Sequence, residues 1–300
     1  MGANRQDQYT NRSQTGIVTR YDVLYDIWYF SRLNICGGAA TLTAAASIVL
    51  LGRLHAEAVS LVACATGVVY WLDDLLDRPR DEARYPILAA LRHGRIVALG
   101  AAVLVAGWGA FALLSRAPWH VAAFLSVLAG ITLAFCHWPP IRTLLLRAPT
   151  GYAVKPAVES LVWSLVCLWT PVLWAERTVT PQAAVAITLV WPLLHVVLAA
   201  WLLADGKTFD HPAAIRLGRR TTEARVLRTS RTLCWFAVVP PLVCTAAGIF
   251  PPVNLVCVAF PAIALAFLAR WPAWPLDHRV YVELMIAANL AGMSVVALVY

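Results

Sequence analysis

Charged side chains are scarce in this chain. They make up 13% of its 300 residues, whereas hydrophobic residues make up 60%. A soluble domain carries about 25% charged residues, and a chain this apolar could not cover its surface with polar groups. The shortage of charge excludes an ordinary soluble domain and predicts an integral membrane protein, with lipid as the solvent for the excess apolar surface.

Closely spaced cysteine pairs are also missing, and we expect no secretory leader. None of the seven cysteines forms a CxxC pair, and all lie in apolar segments. We expect them to be small hydrophobic residues of helices rather than disulfides or metal ligands. Residues 1–26 are polar and lack a short apolar core followed by a cleavage site, so we expect a polar cytosolic tail there instead of a signal peptide.

Long apolar runs make up most of the remaining chain. A helix needs about 20 residues to span a bilayer. The alternating ten-residue segments of strand barrels are absent, and the runs are apolar on all sides, which favours helices. We therefore expect an all-α integral membrane protein with a single transmembrane domain over residues 27–300. The nine candidate spans are 27–51, 56–72, 95–114, 118–138, 153–174, 183–204, 233–250, 253–268 and 280–299.

Lysine and arginine are distributed unequally between the loops. With the N-terminus in the cytosol, 20 of the 24 fall on the cytosolic side and three on the other, while Arg32 lies inside the first span. Such a bias predicts cytosolic loops. It also accounts for the net charge of +8 without nucleic acid, because basic loops face anionic lipid headgroups. The long polar loops 73–95, 139–155 and 205–231 all fall on this side, so we expect any active site there.

Four aspartates lie within nine residues where the second span ends, in Asp73-Asp74-Leu-Leu-Asp77-Arg-Pro-Arg-Asp81. If the helix continues, Asp74, Asp77 and Asp81 share one face, and Asp73 lies one turn before Asp77. Neighbouring arginines could offset the repulsion between the acids, and so could hard cations such as Mg²⁺, which bind carboxylate oxygens. The alternative is a solvated loop that anchors topology. Topology depends on Arg and Lys and gains little from four aspartates, which favours a metal site.

The other two cytosolic loops carry residues suited to metal and phosphate. Asp205 and Asp210 could form a second metal face, with Lys207 as a point charge on phosphate oxygens. An ordinary turn at Gly206 is the alternative. In the third loop Arg142, Arg147 and Lys155 could face a diphosphate, although Lys155 could instead extend to the lipid headgroups.

Polar residues inside apolar spans are costly and therefore informative. Arg32 could reach a diphosphate from the first span. Glu159 could stabilise a cation or act as a base deeper in the bundle, or it could pair with Lys155 one turn away. Asn34, His195, Glu283 and Asn289 are further polar residues of this kind. Among the aromatic residues near the motifs, Tyr70, Trp71 and Trp163 could stabilise a carbocation or simply pack between helices.

The loop motifs resemble the UbiA superfamily of intramembrane prenyltransferases. Its first motif, Asn-Asp-x-x-Asp-x-x-x-Asp, is similar to the segment 73–81, with Asp73 in place of the asparagine. Arg84-Tyr-Pro86 and Gly94-Arg-Ile96 look like the family's Arg-Pro and Gly-Arg-Ile elements. Pro139-Pro140-Ile-Arg142 is followed by Lys155 and Trp163 as in the family, and Ile215-Arg-Leu-Gly218 ends a loop that resembles the second motif. In that second motif only Asp205 aligns well, because Leu198 and Trp201 stand where earlier acids belong.

The resemblance implies nine helices around a cavity that opens toward lipid, with a polyprenyl diphosphate held by Mg²⁺ between the two aspartate loops. Taken together with the charges described above, it predicts metal binding by Asp73, Asp74, Asp77, Asp81, Asp205 and Asp210. The residues expected to bind the diphosphate are Arg32, Arg84, Arg142, Lys155 and Lys207. The residues expected to take part in catalysis are Asp74, Asp77, Asp81, Lys155 and Glu159.

Three functions remain open at this point. The first is a prenyltransferase that moves the prenyl group to a small aromatic or lipid acceptor. The second is a terpene cyclase of the same fold, in which the cation is captured by its own double bonds and then loses a proton. A transporter is the third, but the sequence has neither an inverted repeat nor a pair of broken helices to support it.

Overall fold

The computed structural model describes residues 32–76, 92–138, 140, 154, 158, 161–176, 242, 243, 245–248 and 278–299. Within these ranges the chain is helical apart from short turns, and it contains no strand. The elements are α1 (Leu33–Leu51), α2 (Ala56–Leu76), α3 (Arg92–Leu114), α4 (Trp119–His137), a π-helix (Leu165–Trp169), α5 (Thr170–Trp174) and α6 (His278–Val299). They coincide with six of the predicted spans. Spans 183–204 and 253–268, and most of 233–250, lie outside the described residues.

Three of these helices are long and apolar enough to cross a membrane. They are α1, α2 and the part of α3 over Ile96–Leu114. The exposed surface of α3 is itself apolar, because Leu104, Val105 and Trp108 are each more than 70% exposed. Contiguous apolar surface of this kind marks a membrane or a partner. The described helices therefore fit a lipid bilayer.

A short turn makes α1 and α2 a helical hairpin. Gly52 ends α1 in the left-handed region, with φ 69°, and donates its N–H to the carbonyl of Ile48. The Ser47 hydroxyl donates to the carbonyl oxygen of Arg53 at 2.7 Å and accepts the N–H of His55 at 2.8 Å. This turn sets the two helices antiparallel. The start of α1 and the end of α2 consequently meet at the opposite end, here called the open end of the hairpin.

Small residues let α2 and α3 approach closely. A Cβ atom at Gly109 of α3 would lie 3.2 Å from the Sγ of Cys64 on α2. The helices of membrane proteins use such small residues where their backbones come near each other. Cys64 is a free thiol, as are the buried Cys36 and Cys167, so these three cysteines act as the small apolar residues expected from the sequence.

The π-helix packs against α1 and precedes a proline. Cys167 within it forms a buried cluster with Ala39 of α1 and Val62 of α2. Pro171 follows in the first turn of α5. Proline has no N–H, and in a regular α-helix its ring would press on the carbonyl four residues earlier, that of Cys167. A wider turn just before Pro171 relieves that contact.

The turn end of the hairpin is held by a second buried cluster. Leu61 of α2 packs there against Val121 and Leu125 of α4. The Nε2 atom of His120 is hydrogen bonded to the carbonyl oxygen of Leu173 at 2.9 Å. α4 ends at His137, and Trp138 is extended, because the residue before a proline avoids the helical region. The turn end is thus fixed by packing, and the polar contacts of the next section lie at the open end.

Candidate functional site at the open end of the hairpin

The first two aspartates of the cluster lie in the last turn of α2. The helix continues to Leu76, one turn beyond the predicted span end at residue 72. Asp74 is buried, with 3% of its surface exposed, whereas Asp73 is half-buried. Neighbouring residues of an α-helix point about 100° apart, so the two carboxylates face different surroundings.

Asp74 forms an ion pair with Arg32 across the hairpin. The Nε–H of Arg32 donates to Oδ2 at 2.9 Å, and an Nη2–H donates to Oδ1 at 2.8 Å. The Arg32 side chain is 21% exposed and that of Asp74 only 5%. Two parallel, charge-assisted hydrogen bonds form the strongest pairing that these groups can make. The pair connects two helix ends that are 42 residues apart in the sequence.

Arg32 itself immediately precedes α1. Its backbone has φ 59° and ψ 12°, in the left-handed region that residues other than glycine rarely adopt. Its carbonyl oxygen accepts the N–H groups of Ile35 and Cys36 at 3.0 and 3.1 Å. The same residue therefore begins helix α1 and reaches the end of helix α2.

An aromatic pair lies one helical turn deeper than Asp74. The indole Nε1–H of Trp163 donates to the phenol oxygen of Tyr70 at 3.2 Å. The ring centroids are 6.4 Å apart, with planes at 70°. Trp71 packs over Gly67, where an added Cβ would lie 2.8 Å from the indole ring. Aromatic surface therefore lies directly behind the carboxylates at the open end.

Several polar oxygens are buried between these helices. The side-chain oxygens of Asn34, Ser164, Thr170 and Asn289 have no hydrogen-bond partner among the described residues. Ser164 and Thr170 flank the π-helix, and Asn34 lies two residues after Arg32. Buried polar atoms without partners are uncommon in folded proteins. Asn34 and Asn289 are two of the polar residues that the sequence singled out within predicted spans.

The structure brings together two residues that the sequence assigned separately. Arg32 was expected on a diphosphate and Asp74 on a metal ion, yet each is the other's partner. The sequence contains a signal for this pairing. Arg32 and Asp74 have opposite charges and lie at the same end of two consecutive predicted spans. The remaining expected site residues lie outside the described part of the chain: Asp77, Asp81, Arg84, Arg142, Lys155, Glu159, Asp205, Lys207 and Asp210.

The described carboxylates fit a magnesium ion only in part. Asp73 lies in the last turn of α2, but both oxygens of Asp74 already accept N–H groups from a cation. Over the described ranges no three His, Cys, Asp or Glu side chains lie together as a metal site. In the described structure the Asp74 carboxylate is thus the counter-ion of Arg32.

The family resemblance rests on the motifs quoted above. No protein-family model matches the chain, and neither curated proteins nor solved structures give a match.

Proposed function

We propose that the chain is a magnesium-dependent intramembrane prenyltransferase. In this proposal it crosses the bilayer about nine times, with its N-terminus and polar loops in the cytosol. It binds a polyprenyl diphosphate at the two aspartate loops and transfers the prenyl group to a small aromatic or lipid acceptor.

The observation that carries this proposal is the placement of the aspartate segment 73–81. It begins within the last turn of an apolar helix, and its second aspartate is buried and ion-paired to Arg32. Charged residues at such positions cost free energy and usually serve a function. The open end of the hairpin carries charged residues and lies beside aromatic and apolar helices. This combination suits a substrate with an anionic head and an isoprenoid tail.

In the proposed site, each loop has its own task. The proposal assigns metal binding to Asp73, Asp77 and Asp81 of the first aspartate segment and to Asp205 and Asp210 of the second. When bound, Mg²⁺ would neutralise charge that develops on the leaving diphosphate. The proposal gives the cations of the loops and of the open end the task of holding the phosphate oxygens, and gives Glu159 that of stabilising positive charge on the prenyl chain. The cations are Arg32, Arg84, Arg142, Lys155 and Lys207.

A terpene cyclase is the second candidate, and the Tyr70–Trp163 pair favours it. Aromatic faces attract a carbocation, and this pair lies one helical turn behind Asp74. A cation that is stabilised there long enough can be captured by its own double bonds. The second candidate shares the diphosphate site with the first and differs only in the fate of the cation.

One experiment separates these candidates. The purified chain is incubated with Mg²⁺ and geranyl, farnesyl or geranylgeranyl diphosphate, with and without phenolic and lipid acceptors. Released diphosphate and organic products are measured. A prenylated acceptor is the expected product, whereas a cyclic hydrocarbon formed without acceptor would instead establish the cyclase. No turnover of any diphosphate under either condition would reject both enzymes and favour transport.

A pair of variants of the α2 region controls this assay. Asp77→Ala should abolish diphosphate release, because a proposed metal ligand is lost. Glu57→Ala removes an exposed carboxylate from the first turn of α2, at the turn end of the hairpin, and should leave the rate unchanged. Full activity of Asp77→Ala would refute the metal assignment.

A further inference from the structure

The carboxylate of Asp74 is bound on both oxygens by a single cation. Its Oδ2 accepts the Nε–H of Arg32 at 2.9 Å, and its Oδ1 accepts an Nη2–H at 2.8 Å. Only 3% of Asp74 is exposed, so solvent does little to stabilise its charge. The planar fork of a guanidinium matches a carboxylate in this geometry. The charge of Asp74 is therefore already balanced within the protein.

A magnesium ion on the same carboxylate would compete with this arrangement. Mg²⁺ binds oxygen at about 2.0–2.1 Å and demands nearly octahedral geometry. An ion on either oxygen of Asp74 would lie beside the guanidinium, and two cations at that distance repel strongly where little water separates them. Each oxygen of Asp74 keeps a further lone pair, but an ion bound there would share a buried site with the guanidinium, so Asp74 is a poor metal ligand while Arg32 is paired with it.

We propose that Asp74 is a positioning residue that anchors the guanidinium of Arg32 at the open end of the hairpin, and that it is not a metal ligand. The inference rests on the proposed function, from which it takes the metal and the diphosphate. It divides the aspartate motif into two roles. Asp74 holds the cation that meets the diphosphate, and the metal role of the proposed function stays with the other aspartates of the motif.

The backbone of Arg32 supports an anchoring role. Its φ of 59° is rare for a residue with a side chain, and such a conformation persists only where the surroundings hold it. The carbonyl oxygen of Arg32 accepts two N–H groups of the first turn of α1, while the side chain is held by two hydrogen bonds to α2. Backbone and side chain are both fixed, which keeps the guanidinium in one place.

The test measures metal and anion binding separately on the purified full-length chain in detergent. Mn²⁺ serves as the metal probe, followed by its electron paramagnetic resonance signal, and inorganic diphosphate as the anion probe, followed by calorimetry. Asp74→Asn should change the Mn²⁺ Kd by less than about threefold and weaken diphosphate binding by about tenfold or more, since an anchored charged contact is lost. Asp77→Asn should weaken Mn²⁺ binding itself by about tenfold or more.

A double variant guards against misfolding. Asp74→Asn removes the carboxylate that balances the Arg32 charge, so Arg32→Gln combined with Asp74→Asn removes both charges together. This double variant should bind Mn²⁺ as the unmodified chain does, and its diphosphate affinity should be no lower than that of Arg32→Gln alone. Loss of Mn²⁺ binding in the double variant, to the extent seen with Asp77→Asn, would overturn the inference.

Failure of the proposed function gives a different result. If the unmodified chain bound neither Mn²⁺ nor diphosphate, the prenyl-diphosphate site would be rejected. The anchoring of Arg32 would then be decided by thermal unfolding of the two single variants and the double variant. If Asp74 anchors Arg32, the double variant should lose less stability than the sum of the two single variants, because both substitutions break the same contact. Additive losses would reject it.

Discussion

The indole Nε1–H of Trp163 donates a hydrogen bond to the phenol oxygen of Tyr70 across 3.2 Å. The bond joins α2 to the helical turn that precedes the π-helix, one turn deeper than the ion pair at the open end. The rings meet nearly edge to face, which aromatic pairs favour. The Tyr70–Trp163 pair therefore provides an aromatic surface behind the aspartates, and its hydrogen bond fixes the two rings relative to each other.

Replacing Trp163 with phenylalanine tests the contribution of this contact. The substitution keeps an aromatic ring and removes the N–H donor, so we expect a loss of about 0.5–1 kcal/mol in stability. Thermal unfolding in detergent, followed by size-exclusion chromatography, measures it. Trp108→Phe on the exposed face of α3, where the residue is 73% exposed, is the matched control and should unfold at an unchanged temperature. Equal behaviour of the two variants would contradict the prediction.

The sequence predicted helix ends well wherever turn chemistry marks them. α1 ends at Leu51, as predicted, because Gly52 can adopt a left-handed conformation. The end of α2 was placed one turn too early, since charge lowers hydropathy and Asp73 and Asp74 look like loop residues. A hydropathy value does not include the pairing of Asp74 with Arg32, which precedes another helix.

The sequence predicted which residues belong to the site more readily than which of their side chains pair with each other. Arg32 and Asp74 were each recognised as unusual, but the sequence cannot assign a charge to one of several possible partners. The π-helix was not predicted either, although Pro171 is the residue that explains it. Side-chain partners and local helix widening depend on tertiary packing, which no single-sequence pattern records.

Gly109 should not tolerate a long side chain. A Cβ atom added there would lie 3.2 Å from the Sγ of Cys64, so Gly109→Leu would force α3 away from α2, at a cost of about 1–3 kcal/mol or more. Gly107, two residues earlier on the same helix, has no atom within 4 Å of an added Cβ. Gly107→Leu should unfold at the same or a higher temperature than the unmodified chain, because a glycine inside a helix costs about 0.5–1 kcal/mol.

A compensating substitution strengthens this test of the α2–α3 contact. Gly109→Ala should be mildly destabilising alone and should recover part of the loss when combined with Cys64→Ala, because the smaller side chain returns the space. The measurement is again the unfolding temperature in detergent. Independent, additive effects of Gly109→Ala and Cys64→Ala would mean that the helices do not touch at this point.

Leu61 should be the most sensitive apolar position at the turn end. It is fully buried against Val121 and Leu125, so Leu61→Ala leaves a cavity and should cost about 2–5 kcal/mol. Leu104→Ala removes the same atoms from a residue that is 75% exposed on α3 and should cost about 0.5 kcal/mol or less. Urea or heat unfolding of the two variants gives the comparison. A similar loss in both would place Leu61 outside the packed interior.

Ser47 should stabilise the hairpin without affecting the chemistry at its other end. Its hydroxyl donates to the carbonyl of Arg53 and accepts the N–H of His55, so Ser47→Ala leaves two backbone groups of the turn without this partner, at a cost of about 1–3 kcal/mol. Ser115→Ala, which removes an exposed hydroxyl bonded to one carbonyl, should cost less than half as much. Ser47 lies at the turn end, remote from Asp74. The folded Ser47→Ala variant should therefore bind Mn²⁺ and diphosphate as tightly as the unmodified chain. A Ser47→Ala protein that stays folded but binds Mn²⁺ or diphosphate more weakly would contradict this prediction. It would show that the turn influences the open end of the hairpin.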